Sequence, residues 1–206
     1  MPFSSSVGKK LGMAVTGIFL YGFLLAHLTG NLLLLGDGGG ATFNAYAEFL
    51  TSHPLLIPAE LGLIALFVLH LYLAITVSLE NRRARPTGYQ VTRTSGSRSW
   101  ASRTMIWSGL AIVVFLVVHI TGFKYGDRGD GTLYDLVADS FRSPLYAGGY
   151  LIAMLVLGFH LWHAFHSAFQ TLGLSARPKL RKLSIALCAL LAGGFALIPV
   201  WFLLSV

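Results

Sequence analysis

Six of the seven histidines in this 206-residue chain stand inside long apolar runs. They are His27, His70, His119 and the trio His160, His163 and His166 of GFHLWHAFHSAFQTLG, while His53 lies in a loop. Ionisable side chains inside a membrane-type run are costly and usually functional. A lone histidine there is as well explained by an inter-helix hydrogen bond as by ligation. Four runs carrying at least one each weaken that bland explanation. Neutral imidazole binds a metal through one ring nitrogen, and the bond made by the other nitrogen sets its orientation. In the trio, successive histidines turn by about 60° around a helix, so the three cannot all face one ligand plane.

The elements that carry these histidines are read from the apolar runs, approximately residues 11–35, 58–79, 104–123, 145–172 and 183–204. Each is long enough, at 1.5 Å per residue, to cross a hydrocarbon layer of about 30 Å. Backbone groups in lipid must be satisfied internally, so the runs are expected to be helices. The first is too long, and lacks the cleavage site, for a signal peptide. Charged residues make up only 11% of the chain and mean hydropathy is +0.69, whereas a soluble domain carries about 25% charged residues. The expected fold is all-α: a polytopic membrane protein over residues 1–206, with five transmembrane helices and no second domain. No internal repeat stands out.

The basic residues fall mostly on one side. Lys9, Lys10, Arg82, Arg83, Arg85, Arg93, Arg98, Arg103, Arg177, Lys179, Arg181 and Lys182 share it, against Lys124, Arg128 and Arg142 opposite. That asymmetry predicts a cytoplasmic N-terminus and an outer C-terminus. The net charge of +7 is therefore a topology signal, and no motif points to nucleic acid. One cysteine, Cys188, excludes an internal disulfide framework and a four-cysteine zinc or iron–sulfur site. The outer loop, residues 36–54, suggests a short interfacial helix carrying Tyr46 and Glu48. The basic inner loop, residues 81–100, suits either a partner or a plain connector.

Depth sorts the histidines. His27 lies 17 positions beyond Lys10 and His119 lies 16 beyond Arg103, so both stand about 24–25 Å from the inner edge. His70 lies 11 before Asn81, about 16 Å deep. His160 and His163 lie 13 and 10 before Gly173, about 19 and 15 Å deep, and depth does not choose between them. Two levels of paired imidazoles suit two haems, each taking one histidine on either face, held in a four-helix bundle with the fifth span peripheral. A zinc site would need its ligands at one depth, and a proton or cation path would need mid-membrane carboxylates.

The segments KKLGMAVTGIFLYGFLLAHLTGNL, FNAYAEFLTSHPLLIPAELGLIALFVLH, VVFLVVHITGFKY and GFHLWHAFHSAFQTLG, in this order, resemble the membrane-anchor cytochrome b subunit of succinate dehydrogenases and fumarate reductases. They are most similar to its single-chain, five-helix, two-haem type. The resemblance implies two haems b as cofactors. His70 and His160 would hold the proximal haem, nearer the cytoplasm, and His27 and His119 the distal haem. The family's spacing favours His160 over His163, which becomes an alternative ligand or a haem or quinone contact. Implied partners are a flavoprotein and an iron–sulfur subunit on the cytoplasmic face, the lipid bilayer, a menaquinone or other quinone, and further copies of the whole complex in a higher oligomer. The location implied is the bacterial cytoplasmic membrane. The competing expectations are the quinone-linked cytochrome b of a formate dehydrogenase or hydrogenase, and a haem-free transporter or structural protein.

Further side chains are weaker candidates. Haem propionates would find partners among Lys9, Lys10, Arg82, Arg83 and Arg103 on the inner side, and Thr29, Asn31, Lys124, Tyr125 and Arg142 on the outer side. A quinone slot could use Asn44, Tyr46, Glu48 and Glu60, or Trp162 with His163 or His166. Trp100, Trp107 and Trp201 are expected at the membrane interfaces, and Pro199 could kink the fifth span.

Overall fold

The computed structural model describes residues 5–36, 40–84, 100–174 and 178–205. Most of the basic inner loop, including Arg85, Arg93 and Arg98, lies outside them, as does Arg177. The same holds for the side chains of Trp100, Arg103, Lys179 and Arg181. Among the described residues the structure is helical throughout, without strands.

Seven α-helices follow in order: α1 (Ser6–Asn31), α2 (Ala41–Ser52), α3 (Leu56–Arg83), α4 (Trp100–His119), α5 (Leu133–Arg142), α6 (Pro144–Thr171) and α7 (Pro178–Leu204). Five of them, α1, α3, α4, α6 and α7, are long and apolar enough to span a membrane. α1 is extended by a 3-10 turn at Leu32–Leu35, and α4 by a π-turn at Ile120–Lys124 directly after His119. Such π-bulges insert one extra residue and are frequent at functional sites.

Local sequence explains the helix starts. The Ser5 hydroxyl accepts from the Gly8 N–H at 3.0 Å, an N-cap for α1. Thr132 and Asp135 form a reciprocal capping box on α5. Pro144 opens α6 where its missing N–H costs nothing.

The exposed faces are apolar. Leu61, Ile64, Val68, Tyr72, Ile75 and Leu79 line α3 at steps of three and four, and Trp107, Leu110, Val114 and Val117 do the same on α4. In water so much exposed apolar surface would be a liability. Against lipid it is the required solvent-facing surface.

Packing defines two diagonals. α1 packs on α3 and α6, while α4 packs on α6 and more thinly on α3. Hence α1 stands across the bundle from α4, and α3 across from α6. α7 lies outside, against α6 and α1. Between these three helices sits a core of Tyr21, Leu28, Met154, Leu157, Leu161, Cys188 and Leu191. Both short helices cap the end opposite the N-terminus, touching each other there. Their Phe43, Val137 and Phe141 share a core with Ala147, Tyr150, Ile198 and Phe202. Pro199 is fully buried within α7.

Candidate haem-binding site

The imidazoles meet along the diagonals. His27 of α1 and His119 of α4 have ring centroids 5.8 Å apart, with planes at 88°. Aromatic side chains surround them: Phe23 stacks on His27 at 5.3 Å, and Phe115, Phe123 and Tyr150 enclose His119. On the other diagonal, His70 of α3 and His160 of α6 are close enough to interact electrostatically. His160 also interacts with His163, and His163 in turn with His166. His163 is half-buried and His166 exposed, toward the end of α6 on the N-terminal side.

Contacts with α1 and α4 fix the two heights. The His70 ring sits at Thr16, with Nδ1 2.9 Å from Oγ1, and the His160 ring sits at Ser108, with Nδ1 3.0 Å from Oγ. A Cβ built on Gly17 would lie 3.3 Å from His70 Cε1, and one on Gly109 would lie 3.4 Å from His160 Cε1. A methyl group at Gly17 would press on the His70 ring, and one at Gly109 would just touch the His160 ring. His27 follows Thr16 by 11 residues, and His119 follows Ser108 by 11. The two tiers are thus about 16 Å apart along the helices. The near tier, His70 and His160, lies toward the N-terminal side. The far tier, His27 and His119, lies toward α2 and α5.

Their hydrogen-bond partners differ. His119 Nδ1 is 3.3 Å from the Tyr150 hydroxyl, itself 3.3 Å from that of Tyr146. His27 Nδ1 is 3.4 Å from the Asn31 amide, which donates to the His27 carbonyl at 2.7 Å.

Whether these residues fit a haem can be tested on the donor set. Imidazole nitrogen binds metals at roughly 2.0–2.1 Å, so two imidazoles flanking one metal have ring centres about 6 Å apart. The His27–His119 separation of 5.8 Å agrees. Among the described residues no three or more His, Cys, Asp or Glu side chains converge. The far tier offers two imidazoles in contact, and the near tier two imidazoles on helices that stand across the bundle from each other. Two imidazoles are the complement that a six-coordinate haem takes from protein. Glycine beside the near-tier rings and aromatic surfaces around the far tier suit a flat apolar macrocycle.

Several secondary candidates are engaged elsewhere. Lys9 pairs with Glu80, Lys124 with Glu60, and Arg142 with Asp139. The first two pairs tie the ends of α3 to α1 and to the turn after α4. Asn44 accepts from the Tyr134 N–H at 3.1 Å and so caps the start of α5. Tyr46 lies against Gly30 of α1. Thr29 bonds the Leu25 carbonyl of its own helix. Lys10, Glu48, Arg82, Arg83 and Tyr125 are exposed.

Sequence reading missed three features. α5 was announced by its capping-box pattern, Thr132 to Asp135. The hydrogen bond between Tyr150 and His119 had no sequence signal. The third is a repeat. Thr16-Gly17 precedes His27-Leu-Thr-Gly as Ser108-Gly109 precedes His119-Ile-Thr-Gly, and His70-Leu-Tyr corresponds to His160-Leu-Trp. Each set comprises a span, a short helix and a returning span. The two halves thus run parallel, related by an axis along the membrane normal, an arrangement known in other membrane folds. The repeat shows once contacts pair the hydroxyl–glycine steps with the histidines.

Fold and site together define a class: a multi-pass, all-helical membrane protein whose four-helix core presents two tiers of opposed histidines. The chain is similar to the succinate dehydrogenase cytochrome b558 subunit of Bacillus subtilis (strain 168), with 24% identity over 180 residues that cover 84% of this chain and 81% of that one. No family model matches the chain, and no solved structure matches it.

Proposed function

We propose that the chain is the membrane-anchoring, dihaem cytochrome b subunit of a succinate:quinone oxidoreductase. In that role it takes electrons from an iron–sulfur subunit and delivers them to menaquinone or another quinone. The observation that carries the reading is the double diagonal: His27 with His119, and His70 with His160, at two heights on four helices. A structural histidine has no reason to recur in opposed pairs at both heights. The similarity to a succinate dehydrogenase cytochrome b558 subunit supports the choice of complex.

Bound haem would supply reversible one-electron carriage. The chain's own residues hold and shield it. His27 and His119 would ligate on the far tier, His70 and His160 on the near tier. Gly17 and Gly109 leave room beside the near-tier rings. Phe23, Phe115 and Phe123 keep water from the far-tier imidazoles. The N-terminal side would face the cytoplasm and receive the flavoprotein and iron–sulfur subunits. Flavin and cluster chemistry would belong to those partners, a division that the single cysteine of this chain fits.

Purification of the native complex tests the reading. The expected result is co-purification of a flavoprotein and an iron–sulfur protein, with succinate-dependent quinone reduction. Recovery with a molybdenum or nickel enzyme would instead assign the chain to a formate dehydrogenase or hydrogenase.

A further inference from the structure

Thr16 and Ser108 occupy equivalent places in the two halves, each one residue before a glycine that faces a near-tier ring. Thr16 is buried, at 5% exposure. Its hydroxyl reaches three groups: the Gly12 carbonyl at 2.8 Å, the Met13 carbonyl at 3.1 Å and His70 Nδ1 at 2.9 Å. The Ser108 hydroxyl reaches the Met105 carbonyl at 3.0 Å and His160 Nδ1 at 3.0 Å.

A hydroxyl has one proton to donate, and a carbonyl can only accept. Every group is satisfied when the hydroxyl donates to its own helix and accepts from the histidine Nδ1–H. A neutral imidazole carries one ring proton. With it on Nδ1, the Nε2 lone pair is free to bind a metal. In the far tier the Nδ1 contacts are longer, 3.3 Å to the Tyr150 hydroxyl and 3.4 Å to the Asn31 amide.

We propose that Thr16 and Ser108 are positioning residues that lock His70 and His160 in the Nε2-ligating tautomer and set their ring orientation. The proposal rests on the haem reading above. α1 and α4 then each serve both tiers, with a ligand at one height and an orienting hydroxyl at the other. Hydrogen bonds of this kind also raise ligand basicity, which favours the oxidised metal. Their loss therefore moves the near-tier potential upward.

The test uses the native complex carrying Thr16→Val, Ser108→Ala or the conservative Thr16→Ser. Haem content is read by pyridine haemochrome, and each haem by redox titration and ferric electron paramagnetic resonance. The near-tier signal is the one that survives His27→Ala. Expected for Thr16→Val and Ser108→Ala is a more positive near-tier potential with shifted resonance, the far-tier signal unchanged, and recovery in Thr16→Ser. Loss of near-tier haem alone, restored by Thr16→Ser, supports the same role. If Thr16→Val fails to assemble, Ser108→Ala decides. Unchanged signals at full haem content, or a shift confined to the far tier, would overturn the proposal while leaving the functional reading intact. A wild-type complex without haem would defeat that reading itself.

Discussion

His27 and His70 belong to neighbouring helices yet serve different tiers, because α1 brings Thr16 and Gly17, not His27, to the height of His70. The ligand assignments predict separable losses. His27→Ala or His119→Ala should remove the far-tier haem only, halving haem content to about one per chain. His70→Ala or His160→Ala should do the converse, and His163→Ala should leave both. Haem stoichiometry with redox titration checks this, and equal loss of both signals in an assembled His27→Ala complex would refute the pairing. Gly109→Val should crowd the His160 ring, at an overpacking cost of about 1–3 kcal/mol. The near-tier spectrum should change while the far tier does not. The histidines were legible because an imidazole is conspicuous in an apolar run, and counting residues gave their sorting into two levels but not the spacing. It placed the levels about 5–9 Å apart, where the contacts with Thr16 and Ser108 place them about 16 Å apart. Counting gives no azimuth, so it could not separate His160 from His163. Nor could it find Tyr150, which acts from a different helix than His119.

Among the elements, the five long helices were legible from run length, and their ends moved by a few residues because caps and charged ends extend beyond the apolar core. α3 illustrates this, running from Leu56 to Arg83 beyond the apolar run at 58–79. α2 was foreseen, whereas α5 was not, its ten residues being too few for a span and its apolar positions interrupted by Asp135, Asp139, Ser140 and Arg142. The α5 cap makes a pH prediction. Hydrogen bonds from the Thr132 hydroxyl, then from its backbone N–H, hold the Asp135 carboxyl below the usual carboxylate range. Because the folded-state pKa is lowered, the cap is fully formed above the ordinary aspartate value of about 4. It is lost as pH falls through the lowered value. A carboxyl-carbon NMR titration should place the Asp135 midpoint below that of an unstructured aspartate. Thr132→Ala should move it back up, and an identical midpoint in both proteins would remove the cap from the account.

At the scale of the whole molecule, two similar halves enclose the four histidines, and α7 packs against the outside. The helix order was legible, but the diagonals depend on which faces meet, and similar apolar faces on every span conceal that. The repeat was hidden for the same reason, since its markers are two-residue steps amid interchangeable Leu, Val and Ile. Orientation is a separate prediction, derived from the basic side. In a Cys188→Ala background, an impermeant maleimide applied to intact protoplasts should label Asp130→Cys. It should label Ser5→Cys only after permeabilisation, and the reverse pattern would invert the topology. The central claim is that four histidines on crossed diagonals hold two haems. Pyridine haemochrome analysis of the purified native complex tests it most directly. About two haems b per chain are predicted; a value near zero, or a single haem, would contradict the account.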